Sequence, residues 1–143
     1  HDQGAAMMGG VAGHAGLFSN AFDLAAMMQL FMNKGSFGGK QYLDPKVVEE
    51  FTGCTYCPEN RRGIGFDKPE PDSTKGSPVP RCVSLRSYGH SGFTGTFAWA
   101  DPEYGIVVIL LTNRVFPDAE KNKLVKVGTR SKVLEEVYKL VSR

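Results

Sequence analysis

The residues of this sequence that could do chemistry are concentrated in one short segment, His90-Ser91-Gly92, which Phe93 and Thr94 follow directly. A small residue followed by glycine allows the backbone of a substrate to lie against a strand edge and pair with it like an added strand. The imidazole of His90 would then face the polar end of that substrate. The Phe93 amide could donate to a developing oxyanion, a contact worth roughly 2.7–4 kcal/mol where it has been removed from enzymes that use one. We therefore take His90, Ser91 and Gly92 as candidate catalytic residues, and Phe93 and Thr94 as oxyanion and substrate-binding residues.

Three cysteines offer a second kind of chemistry. Cys54 and Cys57 have the spacing of half a zinc site or of a redox pair, and Cys82 stands alone. An odd count excludes a fully paired set within the chain. A zinc site needs four ligands, so a histidine would have to complete it. A local disulfide or buried thiols are the other interpretations, and we favour them over zinc.

The remaining polar candidates have simpler structural interpretations. His14 lies between Gly13 and Ala15 and is expected to pack and bond to a loop carbonyl rather than act as a base. His90 alone would also be interpreted as structural, and only its strand context makes it a site residue. The acidic pairs Glu49-Glu50 and Glu135-Glu136 are expected on exposed helix faces.

Composition limits the classes of function. The chain has 143 residues, 41% hydrophobic and 22% charged, which fits one soluble domain or a contiguous piece of one. A net charge of +2 with no basic stripe argues against nucleic acid as a partner. No apolar run approaches the roughly 20 residues that span a bilayer. The sequence implies no metal and no organic cofactor.

Two helices are predicted in the first part of the chain. Ser19 or Asn20 caps the first, with Asp23 at the capping-box position if Asn20 is the cap, and Gly35 ends it. The glycine-rich residues 1–18 before it are not expected to form a regular helix. A second helix begins after Asp44 and stops at Gly53. Residues 54–86 form a long loop region, in which 63–66 is one strand candidate and 68–80 an exposed loop.

Regular structure is predicted again from Tyr88 onward. Residues 93–100 alternate, which predicts a strand with Phe93, Gly95, Phe97 and Trp99 on one face. Residues 101–105 form a hairpin loop. The aliphatic run 106–111 predicts a strand in the middle of a sheet that is covered on both faces. Residues 118–143 are predicted to form a C-terminal helix and to provide one cover. Its apolar stripe consists of Val127, Leu134, Val137 and Val141, and Gly128 weakens it.

Several of these segments resemble one family. His90-Ser91-Gly92 resembles the third motif of penicillin-recognising serine hydrolases, Lys-Thr-Gly or His-x-Gly. Three segments after it, 97–102, 105–108 and 111–113, resemble the hairpin that follows this motif in class C β-lactamases and related esterases. Residues 9–19, with Asp23-Leu24, resemble the glycine-rich segment that leads into a helix in the same family. The resemblance implies an α/β fold of the α+β type, with an antiparallel sheet and flanking helices, as part of a β-lactamase or transpeptidase-like domain.

The resemblance also implies a serine hydrolase that forms an acyl-enzyme on an ester, amide or β-lactam, with a small-molecule or peptidoglycan-like substrate in the bacterial periplasm or outside the cytoplasm. The family's S-x-x-K motif and its second motif, Y-x-N or S-x-N, do not occur in this sequence; Ser36 precedes Lys40 by one residue too many. We therefore expect the C-terminal portion of a domain, inactive alone and completed by an N-terminal part. Exposed edges would favour self-association or exchange of elements. The alternative is a degenerate, non-catalytic binding module.

Overall fold

The computed structural model describes residues 2–141. Helices and strands occupy both ends of the chain and leave the middle without regular structure. In chain order they are α1 (Gln3–Met7), α2 (Ala21–Met32), β1 (Ser36–Phe37), β2 (Lys40–Gln41), α3 (Pro45–Thr52), β3 (Tyr88–Ser91), β4 (Phe97–Asp101), β5 (Ile106–Leu110), α4 (Lys123–Lys126) and α5 (Thr129–Val141). No helix within residues 2–141 is long and apolar enough to cross a membrane.

The two predicted helix starts are confirmed. At α2 the Asn20 side chain accepts hydrogen bonds from the amides of Phe22 at 2.9 Å and Asp23 at 3.1 Å, and it donates to the Asp23 carboxylate at 2.7 Å. These reciprocal bonds satisfy amides that have no partner within the helix. At α3 the Asp44 carboxylate accepts from the Lys46 amide at 2.8 Å, with proline at the first helical position.

The N-terminal segment differs from expectation. Residues 3–7 form the short helix α1, because the Asp2 carboxylate accepts from the Ala5 amide at 2.9 Å and supplies an N-cap. The glycines that follow, Gly9 and Gly10, have φ angles of 82° and 83° and end it. Glycine therefore limits the helix to one turn and a half rather than preventing it.

The central sheet has three antiparallel strands in the order β3-β4-β5. Gly89 pairs with Trp99 and His90 with Ala98 across β3 and β4, and Trp99 pairs with Val108 across β4 and β5. The prediction that the aliphatic run 106–111 lies in the middle of the sheet is wrong, because β4 occupies that position. Aliphatic residues on both sides of a strand indicate that both faces of the sheet are covered there. They do not indicate that the strand has a partner strand at each of its two edges.

Coverage of both faces is confirmed. One face packs on α5 through a cluster formed by Val79, Val83, Phe97, Trp99, Leu134 and Tyr138, with Ile106, Val108 and Leu110 against it. The other face packs on α2 through Met28, Tyr88 and Ala100, with Phe31, Phe66, Val107 and Ile109 among the residues against them. The sheet thus lies between two helices, which is the predicted α+β architecture with flanking helices.

The long loop region is more integrated than predicted. Residues 63–66 are not a strand, and the sheet contact there is a single bridge between Asp67 and Gly89. The segment 68–80 is not exposed throughout, since Lys68 at 6% and Val79 at 3% exposure are buried while most of 71–76 is exposed. The ends of the loop therefore belong to the core.

Helix α5 provides the predicted cover, although its phase differs. Gly128, with a φ of 64°, separates α4 from α5, so the buried face carries Leu134 and Tyr138. Val127 is 53% and Val141 48% exposed, and their place in the predicted stripe is wrong. The left-handed Gly128 interrupts the helical period, so Val127 does not share the face of Leu134. Val141 is on the same side of Gly128 as Leu134 and is the last residue of α5. Helical structure is confined to 123–126 and 129–141 of the 118–143 range, whose last two residues lie outside the described part.

Candidate functional site

The candidate site residues lie where β3 ends and turns into β4. His90 and Ser91 are the last residues of β3, and residues 92–96 form the connecting turn. The Gly92 amide donates to the Thr96 carbonyl at 2.8 Å, and the Gly95 amide donates to the Gly92 carbonyl at 3.0 Å. The strand predicted to begin at Phe93 begins at Phe97 instead, and Phe93 is 62% exposed whereas Phe97 is 4% exposed. The alternation of apolar residues continues through the 92–96 turn, so it does not show where the strand begins.

Glycine is required at two points of this unit. Gly95 has a φ of 101°, and a Cβ there would overlap the Thr112 hydroxyl, so the turn can close only with glycine. In β3, a Cβ on Gly89 would overlap the Ala98 carbonyl and the Trp99 ring. Both glycines let backbone segments approach closely on either side of His90 and Ser91.

The outer edge of β3 is occupied at one residue. The Asp67 amide donates to the Gly89 carbonyl at 2.7 Å, and the Gly89 amide donates to the Asp67 carbonyl at 3.0 Å. Because successive residues of a strand direct their N–H and C=O groups to opposite sides, the main-chain groups of Ser91 point to the same side as those of Gly89, away from β4. The Asp67 bridge thus ends directly before the strand edge at Ser91.

The side chain of His90 is exposed, and its Nδ1 lies 3.0 Å from the Ser91 carbonyl oxygen. A carbonyl oxygen can only accept, so this contact requires the proton on Nδ1. In the neutral ring Nε2 is then the unprotonated nitrogen, which can accept a proton or a hydrogen bond. Of the five candidates, His90, Ser91, Gly92 and Phe93 are exposed and Thr94 is half-buried.

Charged residues that the sequence did not single out hold this edge in place. The Asp67 carboxylate accepts from Arg61 Nη2 at 2.9 Å and from the Lys68 amide at 3.0 Å. The Lys68 ammonium donates to the carbonyls of Thr52 at 2.9 Å and Ser87 at 3.2 Å, and so joins α3 to the start of β3. Burial lowers the pKa of Lys68 from 10.5 to about 8. No spacing rule identifies the two contacts of the ammonium, because they join residues 16 and 19 positions apart in the chain.

The turn itself is braced by Arg114 and Arg130, which the sequence also did not single out. Arg114 follows β5 and its Nε donates to the Phe93 carbonyl at 2.6 Å. Arg130 lies in the first turn of α5 and its Nη2 donates to the Gly92 carbonyl at 2.9 Å. The only local signal is that an arginine follows the Leu111-Thr112-Asn113 segment.

The other chemical candidates lie outside this unit. Cys54 and Cys57 form a disulfide, which was one of the two interpretations favoured over zinc, and Cys82 is an exposed thiol. Within residues 2–141 no group of three or more histidine, cysteine or acidic side chains is placed to hold a metal ion. His14 is not packed as predicted: its side chain is 83% exposed, with Nε2 at 3.3 Å from the Asp2 carboxylate.

Comparison with known proteins identifies the family of the chain. The family model described as Beta-lactamase matches residues 1–128. Among curated proteins, relatives named "Putative D-alanyl-D-alanine carboxypeptidase" are 32% identical in Salmonella enteritidis and 33% identical in Salmonella gallinarum, over 92% of this chain. The chain spans about a third of the length of these relatives, 32% in each case. The family match extends over most of the chain and includes the β3–β4 turn. The chain belongs to the Beta-lactamase family.

Proposed function

We propose that this chain is the C-terminal part of a serine hydrolase that forms an acyl-enzyme on an amide, ester or β-lactam substrate. The observation that carries the proposal is the strand edge at Ser91, which begins where the Asp67 bridge ends and lies beside the exposed imidazole of His90. In this proposal the nucleophilic serine belongs to a segment outside the chain, because S-x-x-K does not occur in the sequence. The chain alone is then inactive.

Each candidate residue has a distinct role in this proposal. The main-chain groups of Ser91 pair with the substrate backbone. Gly92, where a Cβ would overlap the Thr96 hydroxyl, lets the turn close beside that edge. The Phe93 amide donates to the oxyanion, which holds the negative charge that develops on the substrate carbonyl. His90 Nε2 accepts a hydrogen bond or a proton at the polar end of the substrate. Thr94 contributes to the same wall through its position in the turn.

An extended peptide is the substrate class that best fits a strand edge, because its alternating N–H and C=O groups match those of Ser91. The relatives' printed name refers to a D-alanyl-D-alanine carboxypeptidase. We therefore propose a peptidoglycan-like peptide that ends in D-alanine, with simple esters as poorer substrates. The disulfide between Cys54 and Cys57 supports a location outside the cytoplasm, since disulfides persist in oxidising compartments.

The test is to co-express this chain with the segment encoded upstream in the same reading frame and to measure release of D-alanine from a D-alanyl-D-alanine peptide. Nitrocefin hydrolysis and labelling by a fluorescent penicillin give parallel readouts. We expect activity and labelling only when both parts are present. Activity of the chain alone would contradict the proposal that the nucleophile lies outside it.

A binding module is the second candidate, and the missing S-x-x-K and Y-x-N motifs favour it. Such a module would keep the Ser91 edge and bind the peptide without cleaving it. The two functions are separated by the upstream segment: if that segment carries no S-x-x-K motif and the assembled protein binds peptide without labelling, the hydrolase proposal is wrong.

A further inference from the structure

We propose that Arg130 and Arg114 are positioning residues that fix the peptide planes of the 92–96 turn and thereby set the direction of the Phe93 amide relative to the reacting carbonyl of the substrate. The proposal rests on the proposed function, since it assigns a task to residues behind the same site. It is carried by the hydrogen bonds that these two residues make to the turn, and by the planarity of the peptide bonds they hold.

Arg130 contacts the turn at three carbonyl oxygens. Its Nε donates to the Gly95 carbonyl at 3.2 Å, and its Nη2 donates to the carbonyls of Gly92 at 2.9 Å and Thr96 at 3.4 Å. The forked, planar guanidinium can make such contacts at fixed relative angles, which an ammonium group cannot do. One side chain from α5 thus holds the beginning and the end of the turn.

Arg114 contacts the two carbonyls in between. Its Nε donates to the Phe93 carbonyl at 2.6 Å, and its own amide donates to the Thr94 carbonyl at 2.8 Å. The guanidinium also lies over the Phe93 ring, 4.2 Å from its centroid, and donates to the Ala119 carbonyl at 2.8 Å. All five consecutive carbonyls of residues 92–96 therefore accept a hydrogen bond from Arg114 or Arg130.

These bonds determine the direction of the amides as well as that of the carbonyls. A trans peptide unit is planar, so the C=O of one residue and the N–H of the next point in opposite directions. The bond from Arg130 to the Gly92 carbonyl therefore directs the Phe93 N–H away from Arg130. The bond from Arg114 to the Phe93 carbonyl does the same for the Thr94 N–H. The arginines thus determine which way the proposed oxyanion donor faces.

The two side chains also place positive charge behind the turn. Their hydrogen-bond acceptors in the structure are carbonyl oxygens, which are dipoles and do not neutralise a guanidinium. Partial burial, with the nearby charge of Arg114 as a second cause, lowers the pKa of Arg130. Positive charge close to the turn would favour the oxyanion over the neutral substrate carbonyl, which lowers the barrier and not the affinity for substrate.

The first measurement uses this chain alone and does not depend on activity. Hydrogen exchange of the 92–96 amides is compared for the wild type, Arg130→Met and Arg130→Lys, with thermal unfolding of each. Lys132→Met is the matched control, because it removes an exposed positive charge from the same helix. We expect exchange in 92–96 to quicken at least 10-fold in Arg130→Met, less in Arg130→Lys and not at all in Lys132→Met. Unchanged exchange in a folded Arg130→Met variant would overturn the proposal.

The second measurement separates positioning from mere support of the fold. In the protein assembled with its upstream segment, we expect Arg130→Met to lower kcat about 10- to 100-fold with KM within twofold, less than the 10²–10³-fold loss caused by deletion of an oxyanion donor. Arg130→Lys should recover part of kcat because it restores charge without the fork. A rise in KM at unchanged kcat would overturn the proposal. If the wild type itself shows no turnover, the proposed function fails, while the exchange experiment still decides whether the arginines orient the turn.

Discussion

Substitution of Tyr138 by phenylalanine tests how β4, the strand paired with β3, is fixed to α5. Tyr138 is 2% exposed, and its hydroxyl donates to the carboxylate of Asp101, the last residue of β4. Asp101 is 1% exposed and also accepts from Ser84 Oγ at 2.6 Å, the Ser84 amide at 2.9 Å and the Glu103 amide at 3.0 Å. Tyr138→Phe removes one of four hydrogen bonds to a buried carboxylate and leaves the ring in place.

The expected loss follows from that geometry. A hydrogen bond to a charged group contributes about 1.5–3 kcal/mol, and the carboxylate keeps its other donors, so we expect a loss of about 2 kcal/mol. For a chain of this size that corresponds to a decrease in Tm of roughly 4–8 °C. Urea unfolding followed by circular dichroism at pH 7 measures the first quantity and thermal unfolding the second. Tyr104→Phe is the matched control, because Tyr104 is 42% exposed and packs edge-on against Tyr138 at 5.2 Å.

The pH dependence gives an independent check. Burial, followed by the hydrogen bond to Asp101, raises the pKa of Tyr138 above its ordinary value of 10.0. The unfolded chain therefore loses this proton first, so the contribution of Tyr138 is complete below pH 10 and decreases as the pH rises above it. The difference between wild type and Tyr138→Phe should accordingly be constant from pH 6 to 9 and shrink above 10. A loss below 0.5 kcal/mol, or an equal loss in Tyr104→Phe, would refute the account.

Other predictions concern the elements around the site. Because burial lowers the pKa of Lys68 to about 8, the unfolded chain binds more protons than the folded chain from pH 8 to 10. The free energy of unfolding of the wild type should rise relative to Lys68→Met by roughly 2 kcal/mol in that window, as urea titrations at pH 7 and 10 measure. Gly95→Ala should lower the Tm more than Gly105→Ala, since both have positive φ but an added Cβ meets other atoms only at Gly95. Iodoacetamide should label one cysteine before reduction and all three after it, because Cys54 and Cys57 are paired. The apolar side chains that residues 7–22 expose should promote self-association, which light scattering at increasing concentration checks, and a monomer throughout would contradict it.

The features that the sequence predicts well depend on neighbouring residues. Asn20 and Asp44 cap amides within three residues of themselves, so the starts of α2 and α3 can be recognised locally. The motif His90-Ser91-Gly92 is likewise contiguous, and its resemblance to the family is visible without any partner residue, whereas its role at a site stays a prediction. The fold class follows from the same local patterns together with the family resemblance.

The features that the sequence misses depend on distant residues. The turn at 92–96 is held by Arg130, which is 34 to 38 residues away. The apolar alternation contains no sign of that contact, so the strand was predicted to begin at Phe93, inside the turn. Lys68 lies in a polar stretch, yet carbonyls of Thr52 and Ser87 draw its ammonium into the interior. The aliphatic pattern of 106–111 reports burial of both faces and contains no information about which strand lies beside it.

The central claim is that the strand edge at Ser91 binds the substrate of an acyl-enzyme whose serine lies outside this chain. Intact-mass measurement of the assembled protein after incubation with a penicillin tests it directly, with Ser91→Pro beside Ser91→Ala. Proline at an outward-facing edge position removes the N–H that would pair with substrate and spares the bonds to β4. The account predicts an adduct on the upstream segment in the wild type and in Ser91→Ala, and loss of most of it in a folded Ser91→Pro. No adduct in the wild type, an adduct on this chain, or undiminished acylation of Ser91→Pro would contradict it.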